Sequence, residues 1–342
     1  MNIGEKIWLE MKDVGIGYAK GDAMPIMLAD QLSMKVRTGE IIGLIGRNGC
    51  GKSTLLRTLV KLQLPLKGKI KVDGKDIHSI PRLEFARSVG FVSTENVAIQ
   101  HITVAELVSL GRFPYTNWIG SFSSDDKSAV SKAIDLAGIG HLSKKYLHEL
   151  SDGERQKTMI ARVLAQDTQI MVLDEPTAFL DLPNRYELLR LLNELAHNNG
   201  KTVIYSTHDL NIALHESDKL WLMASGKIIE GAPEDLIISK GFHKLFENSD
   251  LDFDMDTAGF RMKREFSGDI MISGDAGLNL WTSRALERIG IKTGRVDKDE
   301  GHIITGYQNG MPCWSLQLDD KTQNFNSIYD LISSLKKHKK LT

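Results

Sequence analysis

The first 92 residues contain short apolar runs separated by turn residues. Runs at 7–14 and 40–45 have the length of strands, and the second ends in glycines that lead directly into a helix-like segment at 53–61. Further strand-sized runs lie at 68–72 and 89–92. This pattern predicts a strand, a loop and a helix in succession, followed by a short β-rich portion.

A polar helical region at 104–142 interrupts the strands, and Gly111 and Pro114 break it. Ser151 then has the position of a helix N-cap, and the helix that it predicts runs to about residue 166. We therefore expect a helical insert at about 100–165.

Strand-like and helix-like segments alternate beyond the insert, with apolar runs at 170–173 and 202–206 on either side of a helix at 185–198. Runs that are apolar throughout are typical of strands buried on both faces of a sheet. Alternating strands and helices favour a largely parallel sheet with helices on its faces, so the predicted fold class is α/β.

The pattern changes after the turn at 231–233, where a helix-like stretch leads into acidic, turn-rich residues at 248–256. We place a domain boundary there, which gives domains at 3–247 and 256–342. The second domain mixes strands and helices, which predicts a small α+β module, ferredoxin-like or related in fold. Its predicted elements are strands at 260–266 and 269–273, a helix at 278–289, strands at 302–307 and 313–318, and a helix at 328–337.

The composition is that of a soluble globular protein, with 42% apolar and 25% charged residues among 342. A formal net charge of −1 argues against nucleic acid as a partner, because binding to phosphate backbones needs a basic excess. The apolar runs are well short of the roughly 20 residues that cross a bilayer, and residues 1–10 contain no export signal, so we expect a cytosolic location. Cys50 and Cys313 are too few for a disulfide framework.

Residues 46–53 read Gly-Arg-Asn-Gly-Cys-Gly-Lys-Ser and fit the pattern G-x-x-x-x-G-K-[ST] between a predicted strand and a helix N-terminus. Glycines let successive backbone N–H groups surround a phosphate, and the helix dipole adds to the attraction. Lys52 would then bridge the β- and γ-phosphates of a nucleotide, and the Ser53 hydroxyl would bind Mg²⁺. A plain glycine-rich turn is the alternative. Two interpretations of Cys50 are possible. Its oxidation could block nucleotide binding, or it is simply a small residue of the loop.

Asp174 and Glu175 directly follow the apolar run at 170–173, which puts both carboxylates at the edge of the sheet where parallel α/β folds bind ligands. The first suits Mg²⁺, and the second can polarise a water that attacks the γ-phosphate. An ordinary surface turn is the alternative for such a pair. The phosphate loop favours the functional interpretation.

A second glycine motif, Leu-Ser-Asp-Gly-Glu at 150–154, precedes an amphipathic helix. Ser151, the amide of Gly153 and the helix dipole form another place that favours anionic phosphate. One nucleotide does not need two such cradles. Two chains packed head to tail would each supply this second cradle to the nucleotide on the other's phosphate loop.

These motifs together resemble the nucleotide-binding subunits of ATP-binding cassette (ABC) transporters over about residues 3–240. The resemblance implies a P-loop NTPase cassette with a helical subdomain. The motifs that carry it are, in order, the phosphate loop at 46–53, the signature at 150–154, the strand ending in Asp174–Glu175, Phe-Leu-Asp at 179–181 and Ser-Thr-His-Asp at 206–209.

Roles for individual residues follow from the resemblance. Glu175 and His208 would be catalytic, as general base and as the histidine that contacts the γ-phosphate. Tyr18 would stack on adenine, and Asp181 would cross the dimer interface. The residues expected to bind ATP are Tyr18, Gly46, Asn48, Gly49, Gly51, Lys52, Ser53, Thr54, Ser151, Gly153 and Asp181, and those expected to bind Mg²⁺ are Ser53, Asp174 and Thr94.

The sequence departs from the family pattern at two places. Where the family usually has a glutamine after a strand, Thr94 or Glu95 stands, and we favour Thr94 because a hydroxyl can still bind Mg²⁺. The signature has Asp152 and Glu154 where glycine and glutamine are commoner, which brings extra carboxylates near the expected interface.

The segment Leu-Gly-Arg-Phe-Pro-Tyr at 110–115 resembles the importer ATPases for iron-siderophore, haem and vitamin B12 chelates. The alternative is that its Gly and Pro only break a helix. The resemblance implies a homodimer on two membrane permease subunits, peripheral at the cytoplasmic face of the inner membrane and served indirectly by a substrate-binding protein. The competing hypothesis is a soluble ABC ATPase in repair or cofactor assembly.

The tail at 256–342 lies outside the resemblance to the cassette. One hypothesis makes it a small-ligand sensor, in which residues 274–277 before a helix hold an anion. The other makes it a dimerisation module. The basic end at 336–340 is either a solvated terminus or a segment attracted to anionic lipid headgroups.

Overall fold

The computed structural model describes residues 6–19, 24–93, 101–116, 121–245, 250–254, 259–294, 301–318 and 321–339. The chain divides into two compact units. One contains residues 1–249 and 253–260, and the other contains residues 250–252 and 261–342. Each unit has its own hydrophobic core.

Within the described residues, the first unit contains a six-stranded sheet and a four-stranded sheet. Its six-stranded sheet has the order β10-β9-β3-β8-β7-β6, parallel throughout except for β10, and its four-stranded antiparallel sheet has the order β2-β1-β4-β5. The strands are β1 (Ile7–Tyr18), β2 (Ile26–Arg37), β3 (Ile41–Gly46), β4 (Lys67–Val72), β5 (Lys75–Asp76), β6 (Val89–Val92), β7 (Ile170–Leu173), β8 (Thr202–Ser206), β9 (Lys219–Ala224) and β10 (Lys227–Gly231).

Helices cover the parallel sheet and build the insert. Short 3₁₀ turns lie at Leu110–Tyr115, Gly140–Leu142, Leu147–Glu149 and Gly241–Leu245, and a π-helical turn lies at Glu194–Asn198. The α-helices are α1 (Lys52–Leu59), α2 (Arg82–Ser88), α3 (Val104–Ser109), α4 (Ser124–Leu136), α5 (Asp152–Ala165), α6 (Leu182–Asn193), α7 (Leu210–Glu216) and α8 (Pro233–Ile238).

Every residue of β3, β7 and β8 is buried, as the uninterrupted apolar runs predict for central parallel strands. These three strands are neighbours in the order β3-β8-β7, so their carboxyl ends meet at one edge of the sheet. The segments that follow them are the phosphate loop, the pair Asp174–Glu175 and the motif at 206–209. The predicted α/β class is confirmed.

The helical insert is also confirmed, and it is held by capping boxes and one buried ion pair. Capping boxes begin α3, α4 and α5, and each uses a Ser or Thr hydroxyl and an acidic side chain three residues later. The Arg112 guanidinium donates to the Asp126 carboxylate at 2.8 Å and to the carbonyl of Ala165 at 2.8 Å. The segment at 110–115 is therefore tied to both α4 and the end of α5.

The second unit is a mixed five-stranded sheet, in the order β14-β13-β15-β16-β17, with two helices. The predicted α+β class is confirmed. The elements follow in the order β-α-β-β-β-β-α, whereas a ferredoxin-like fold has the order β-α-β-β-α-β, so the module is related to that fold but not identical to it. The strands and helices near and within this unit are β11 (Leu251–Asp254), β12 (Gly259–Met262), β13 (Gly268–Gly274), α9 (Ala276–Glu287), β14 (Ile291–Thr293), β15 (His302–Gln308), β16 (Met311–Leu318), β17 (Lys321–Phe325) and α10 (Ile328–Lys339).

One face of this sheet packs against the helices, because Ile303 and Leu316 share a core with Leu286 of α9 and Leu331 of α10. The Trp314 indole N–H donates to the Thr282 hydroxyl at 2.8 Å inside that core. The predicted strand at 260–266 ends earlier, at Met262.

Candidate active site

The phosphate loop holds Lys52 against its own backbone. Lys52 is 6% exposed, and its Nζ donates to the carbonyl oxygens of Gly46 at 2.9 Å and Arg47 at 3.4 Å. Gly46 is the last residue of β3, and Arg47 is the first residue after it. The positive charge of Lys52 is therefore fixed beside the loop and the N-terminus of α1, where a helix attracts phosphate.

Three glycines give the loop its shape. Gly49 and Gly51 have φ of 78° and 110°, which L side chains rarely adopt. A Cβ on Gly46 would lie 2.6 Å from the Cys50 sulfur and 2.7 Å from the Met223 carbonyl oxygen. Asn48, the remaining predicted loop residue, is exposed.

Cys50 is half-buried within this loop. Burial raises the pKa of its thiol, and the positive charge of Lys52 only partly opposes that rise. The thiol is therefore mostly protonated near neutral pH and a poor nucleophile. This favours the interpretation of Cys50 as a small loop residue.

Tyr18 lies at the end of β1 and is linked to α1. Its hydroxyl and the Thr54 hydroxyl are 2.7 Å apart, and the Tyr18 side chain is 50% exposed while Thr54 is buried. Ser53, next to Thr54 on the first turn of α1, is exposed. The antiparallel sheet thus places a half-exposed aromatic ring next to the first turn of α1.

The acidic pair after β7 is held by the last residue of β8. The Ser206 hydroxyl donates to Asp174 Oδ1 at 2.7 Å and accepts the Glu175 backbone N–H at 2.8 Å. Asp174 is 5% exposed, and its own N–H donates to the carbonyl of Val92 on β6. Glu175 has a φ of 46°, a left-handed conformation that only surrounding contacts can hold in a residue with a Cβ.

The two predicted catalytic residues contact each other, with His208 Nε2 against Glu175 Oε1. Both side chains are partly exposed, at 47% for His208 and 29% for Glu175. The pair therefore faces solvent at the carboxyl edge of the sheet, where a water molecule can approach.

The second glycine motif is organised by Glu154. The Ser151 N–H and hydroxyl both donate to Glu154 Oε2, at 2.8 and 3.0 Å, and the Ser151 hydroxyl accepts the Glu154 N–H at 3.3 Å. Ser151 is exposed at the N-terminus of α5. The hydrogen bonds from Ser151 lower the pKa of Glu154, and the bond from the backbone N–H of Ser151 is the largest cause. Glu154, one of the two acidic residues that depart from the family pattern, thus forms a capping box with Ser151 at the start of α5.

Gly153 and Asp181 meet through Asn184. A Cβ on Gly153 would lie 3.1 Å from Asn184 Cγ, and the Asp181 carboxylate accepts the Asn184 N–H at 3.1 Å as the N-cap of α6. A 2.7 Å ion pair between Lys157 and Glu187 also joins α5 to α6. The signature is therefore packed on the helix that Asp181 begins.

The contacts of the predicted site residues form three groups: the phosphate loop with Tyr18, the group at the ends of β7 and β8, and the signature with Asp181. The first two lie at the same sheet edge, because β3 and β8 are neighbouring parallel strands. Thr94 and Glu95 lie outside the described residues. Sequence reasoning missed the linking roles of Ser206 and Asn184, although Ser206 begins the motif at 206–209.

The donors proposed for Mg²⁺ fit that ion. Ser53 and Asp174 supply a hydroxyl and a carboxylate oxygen, and Mg²⁺ is usually held by one or two such protein groups together with phosphates and waters. Within the described residues, no three His, Cys, Asp or Glu side chains form a group that could hold a metal by themselves. The chain thus supplies a partial set, which a nucleotide would complete.

None of the described helices is both long and apolar enough to span a bilayer. Protein-family comparisons match two segments of the chain. The family model described as "ABC transporter" matches residues 29–178, and the one described as "Iron ABC transporter C-terminal domain" matches residues 267–336.

Curated relatives match the cassette at substantial identity. The ferric enterobactin transport ATP-binding protein of Escherichia coli (strain K12) is 38% identical over 239 residues, which is 70% of this chain and 86% of the relative. The achromobactin transport ATP-binding protein of Dickeya dadantii (strain 3937) is 39% identical over 227 residues, which is 66% of this chain and 82% of the relative.

The fold matches solved ABC cassettes. A dimeric cassette in a post-hydrolysis state, bound to ADP and Pi, superposes with a TM-score of 0.58 at 26% identity. The match covers 66% of this chain and 98% of that cassette.

Proposed function

Because the chain belongs to the family of ABC transporter ATP-binding proteins, which are ATPases, we propose that it is the ATP-hydrolysing subunit of an importer for iron-siderophore complexes. The observation that carries the proposal is the joint arrangement of Lys52 in a phosphate loop and the Glu175–His208 pair at the same sheet edge. The cargo class is supported by the printed names of the relatives and by the family match of residues 267–336. Haem and cobalamin chelates are the alternatives within the importer class.

The proposed chemistry uses groups at the carboxyl ends of β3, β7 and β8. Lys52 and the loop amides bind the β- and γ-phosphates, and Tyr18 stacks on the adenine. Glu175 accepts a proton from the attacking water while the oxygen of that water bonds to the γ-phosphorus. The bond between the γ-phosphorus and the ADP oxygen then breaks. His208 orients the Glu175 carboxylate and contacts the γ-phosphate.

Mg²⁺ would be held by Ser53 and Asp174, with Thr94 as a further candidate ligand. When bound, this ion offsets the negative charge on the β- and γ-phosphates. The buried carboxylate of Asp174 has one oxygen fixed by Ser206, so its orientation toward a bound ion would be fixed.

We also propose that two copies pack head to tail, with Ser151 and Gly153 of one copy closing on the nucleotide of the other. Ser151 is exposed at the N-terminus of α5, and Asp181 is exposed at the start of α6, so both can reach a second copy. The match to a dimeric cassette with ADP and Pi supports this arrangement.

The proposed docking surface for the permease subunits is the 3₁₀ turn at 110–115. Phe113 and Leu110 are 69% and 48% exposed there, while Arg112 anchors the turn through its buried ion pair with Asp126. A rigid turn that presents apolar side chains suits a protein contact. The chain would then be peripheral at the cytoplasmic face of the inner membrane and linked only indirectly to a substrate-binding protein.

Co-purification from detergent-solubilised native membranes tests the transport proposal. We expect the tagged chain to bring down an integral membrane protein, and Phe113→Ala to weaken that association without slowing ATP hydrolysis by the isolated chain. Ile238→Ala is the matched control, since Ile238 is 72% exposed on α8. Recovery of soluble repair or cofactor-assembly proteins with no membrane protein would favour the competing hypothesis.

Uptake of radiolabelled iron by cells tests the cargo. We expect cells that carry Lys52→Ala to lose siderophore-dependent uptake. Retained iron uptake with a loss of haem or cobalamin uptake would reassign the cargo within the importer class.

A further inference from the structure

Ser206 has an unusual position for a buried serine. It is the last residue of β8, it is 0% exposed, and it stands beside the end of β7 because Leu173 pairs with Tyr205 in the parallel register. Its hydroxyl contacts both residues of the acidic pair, Asp174 Oδ1 at 2.7 Å and the Glu175 N–H at 2.8 Å.

The hydroxyl has one donor and two acceptor sites, so these two contacts use it in both roles. The donated proton goes to a carboxylate, which makes a short charge-assisted bond. Within the helices of this unit, hydroxyls such as those of Thr58 and Ser109 donate to the carbonyl one turn earlier, that of Thr54 and Ala105 respectively. The Ser206 contacts are different, because they fix two residues that directly follow the neighbouring strand β7.

Both contacts act on the geometry of the acidic pair. The bond to Oδ1 fixes the rotation of the Asp174 carboxylate. The bond from the Glu175 N–H holds that residue in its left-handed conformation, with φ of 46°, from which its side chain reaches His208. A water-activating carboxylate depends on such fixed placement.

We infer that Ser206 is a positioning residue for ATP hydrolysis, which fixes Asp174 toward the bound metal and Glu175 toward the attacking water. The inference rests on the proposed roles of Asp174 and Glu175. Ser206 touches neither nucleotide nor water in this role. It acts through the two carboxylate residues.

The test is the variant Ser206→Ala in the full chain, which removes one oxygen from a buried site. Loss of a residue that orients metal ligands typically lowers activity about 10- to 100-fold, so we expect kcat to fall in that range. The KM for ATP should change by less than about threefold, because the phosphate loop that grips the nucleotide is untouched. Hydrogen exchange should show faster exchange of the Glu175 amide, which has lost its acceptor.

Thr202→Val is the matched control, since Thr202 is a fully buried hydroxyl at the other end of β8 that contacts Arg37 and Gly39. We expect this variant to keep the parent kcat. An equal fall in kcat in the control would show that any weakening of β8 slows the enzyme, and it would overturn the inference.

Unchanged kcat or unchanged exchange of the Glu175 amide in Ser206→Ala would also overturn it. Glu175→Gln separates this failure from failure of the proposed site. If Glu175→Gln blocks turnover while Ser206→Ala does not slow it, only the positioning role is lost. If Glu175→Gln turns over at the parent rate, the proposed base is wrong, and the role inferred for Ser206 falls with it.

Discussion

The imidazole of His208 lies against the carboxylate of Glu175, with Nε2 contacting Oε1 across the ends of neighbouring strands β8 and β7. The same Glu175 donates its backbone N–H to Ser206, so the residue is held from two sides. A general base needs its carboxylate at a fixed point relative to the attacking water. The pairing is therefore the local feature on which the proposed hydrolysis depends.

Glu175→Gln should block turnover and leave ATP binding intact, because glutamine keeps the shape of the side chain but cannot accept the proton. General-base catalysis contributes about 100- to 10,000-fold, so we expect kcat to fall in that range. The variant should still dimerise when ATP is added, which size-exclusion chromatography with light scattering measures. Hydrolysis at the parent rate would exclude Glu175 as the base.

Lys52→Ala should weaken ATP binding. The loss of a charge-assisted hydrogen bond, about 1.5 to 3 kcal/mol, corresponds to roughly 10- to 150-fold in affinity. Titration calorimetry with ATP measures the change. Lys61→Ala is the control, since that ammonium donates to the carbonyl of Ile80, away from the phosphate loop. Equal losses in the two variants would argue against a specific grip by Lys52.

Asp126 should make the insert sensitive to acid. Hydrogen bonds from the Ser123 hydroxyl and N–H, and then from Arg112, lower the pKa of Asp126 from 3.8 to about 2. A carboxyl whose folded-state pKa is depressed stabilises the fold above its unfolded pKa and loses that contribution as the pH falls through the folded value. The parent should therefore lose stability between pH 3.8 and about 2 through this group.

Asp126→Asn should remove that contribution to the pH dependence and lower the free energy of unfolding at pH 7 by about 1 to 3 kcal/mol. Urea denaturation across the pH series measures both effects. Asp125→Asn, at an exposed neighbour in the same helix, is the control. An unchanged acid profile in Asp126→Asn would show that the bonds to Ser123 and Arg112 do not stabilise the insert.

Trp314→Ala should destabilise the second unit, because the indole is 4% exposed and donates to Thr282 within the core. Truncation of a buried tryptophan costs about 3 to 5 kcal/mol. The control is Trp281→Ala, since Trp281 is 58% exposed on α9. Thermal unfolding should show a large shift for the first variant and a small one for the second. Similar shifts would contradict the core assignment.

The central strands could be predicted from the sequence because their signal is local. The run at 170–173 is apolar throughout, the run at 202–206 has an apolar centre between Thr202 and Ser206, and the two runs coincide with β7 and β8. β2 was missed because polar residues such as Asp30 and Gln31 lie within it, and its bulged pairing with β1 is a contact between distant segments. β9 was missed although it is also largely apolar.

Some residues of the candidate site could likewise be predicted from local sequence patterns, and others could not. Phosphate-loop residues and the acidic pair have fixed spacing, so the sequence alone indicates them. The role of Ser206 depends on the register between β7 and β8, which no local pattern specifies. Glu154 had a readable signal, the S-x-x-E capping box with Ser151, but it was interpreted only as an extra charge.

The start of α9 bears on the hypothesis that the tail is a small-ligand sensor. The Asp275 carboxylate accepts the Leu278 N–H at 2.9 Å and so occupies the start of α9, the place where the sensor hypothesis put an anion. This contact disfavours an anion at 274–277, because a fixed negative charge already lies there.

We propose that one ATP lies between two copies, bound by Lys52 of one and closed by Ser151 of the other. Mixed dimers test it, made from one Lys52→Ala copy and one Ser151→Arg copy and purified through two different tags. Each such dimer keeps one intact site if the two residues act across the interface. We expect the mixed dimers to hydrolyse ATP although neither variant does so alone, and mixed dimers as inactive as both parents would contradict the claim.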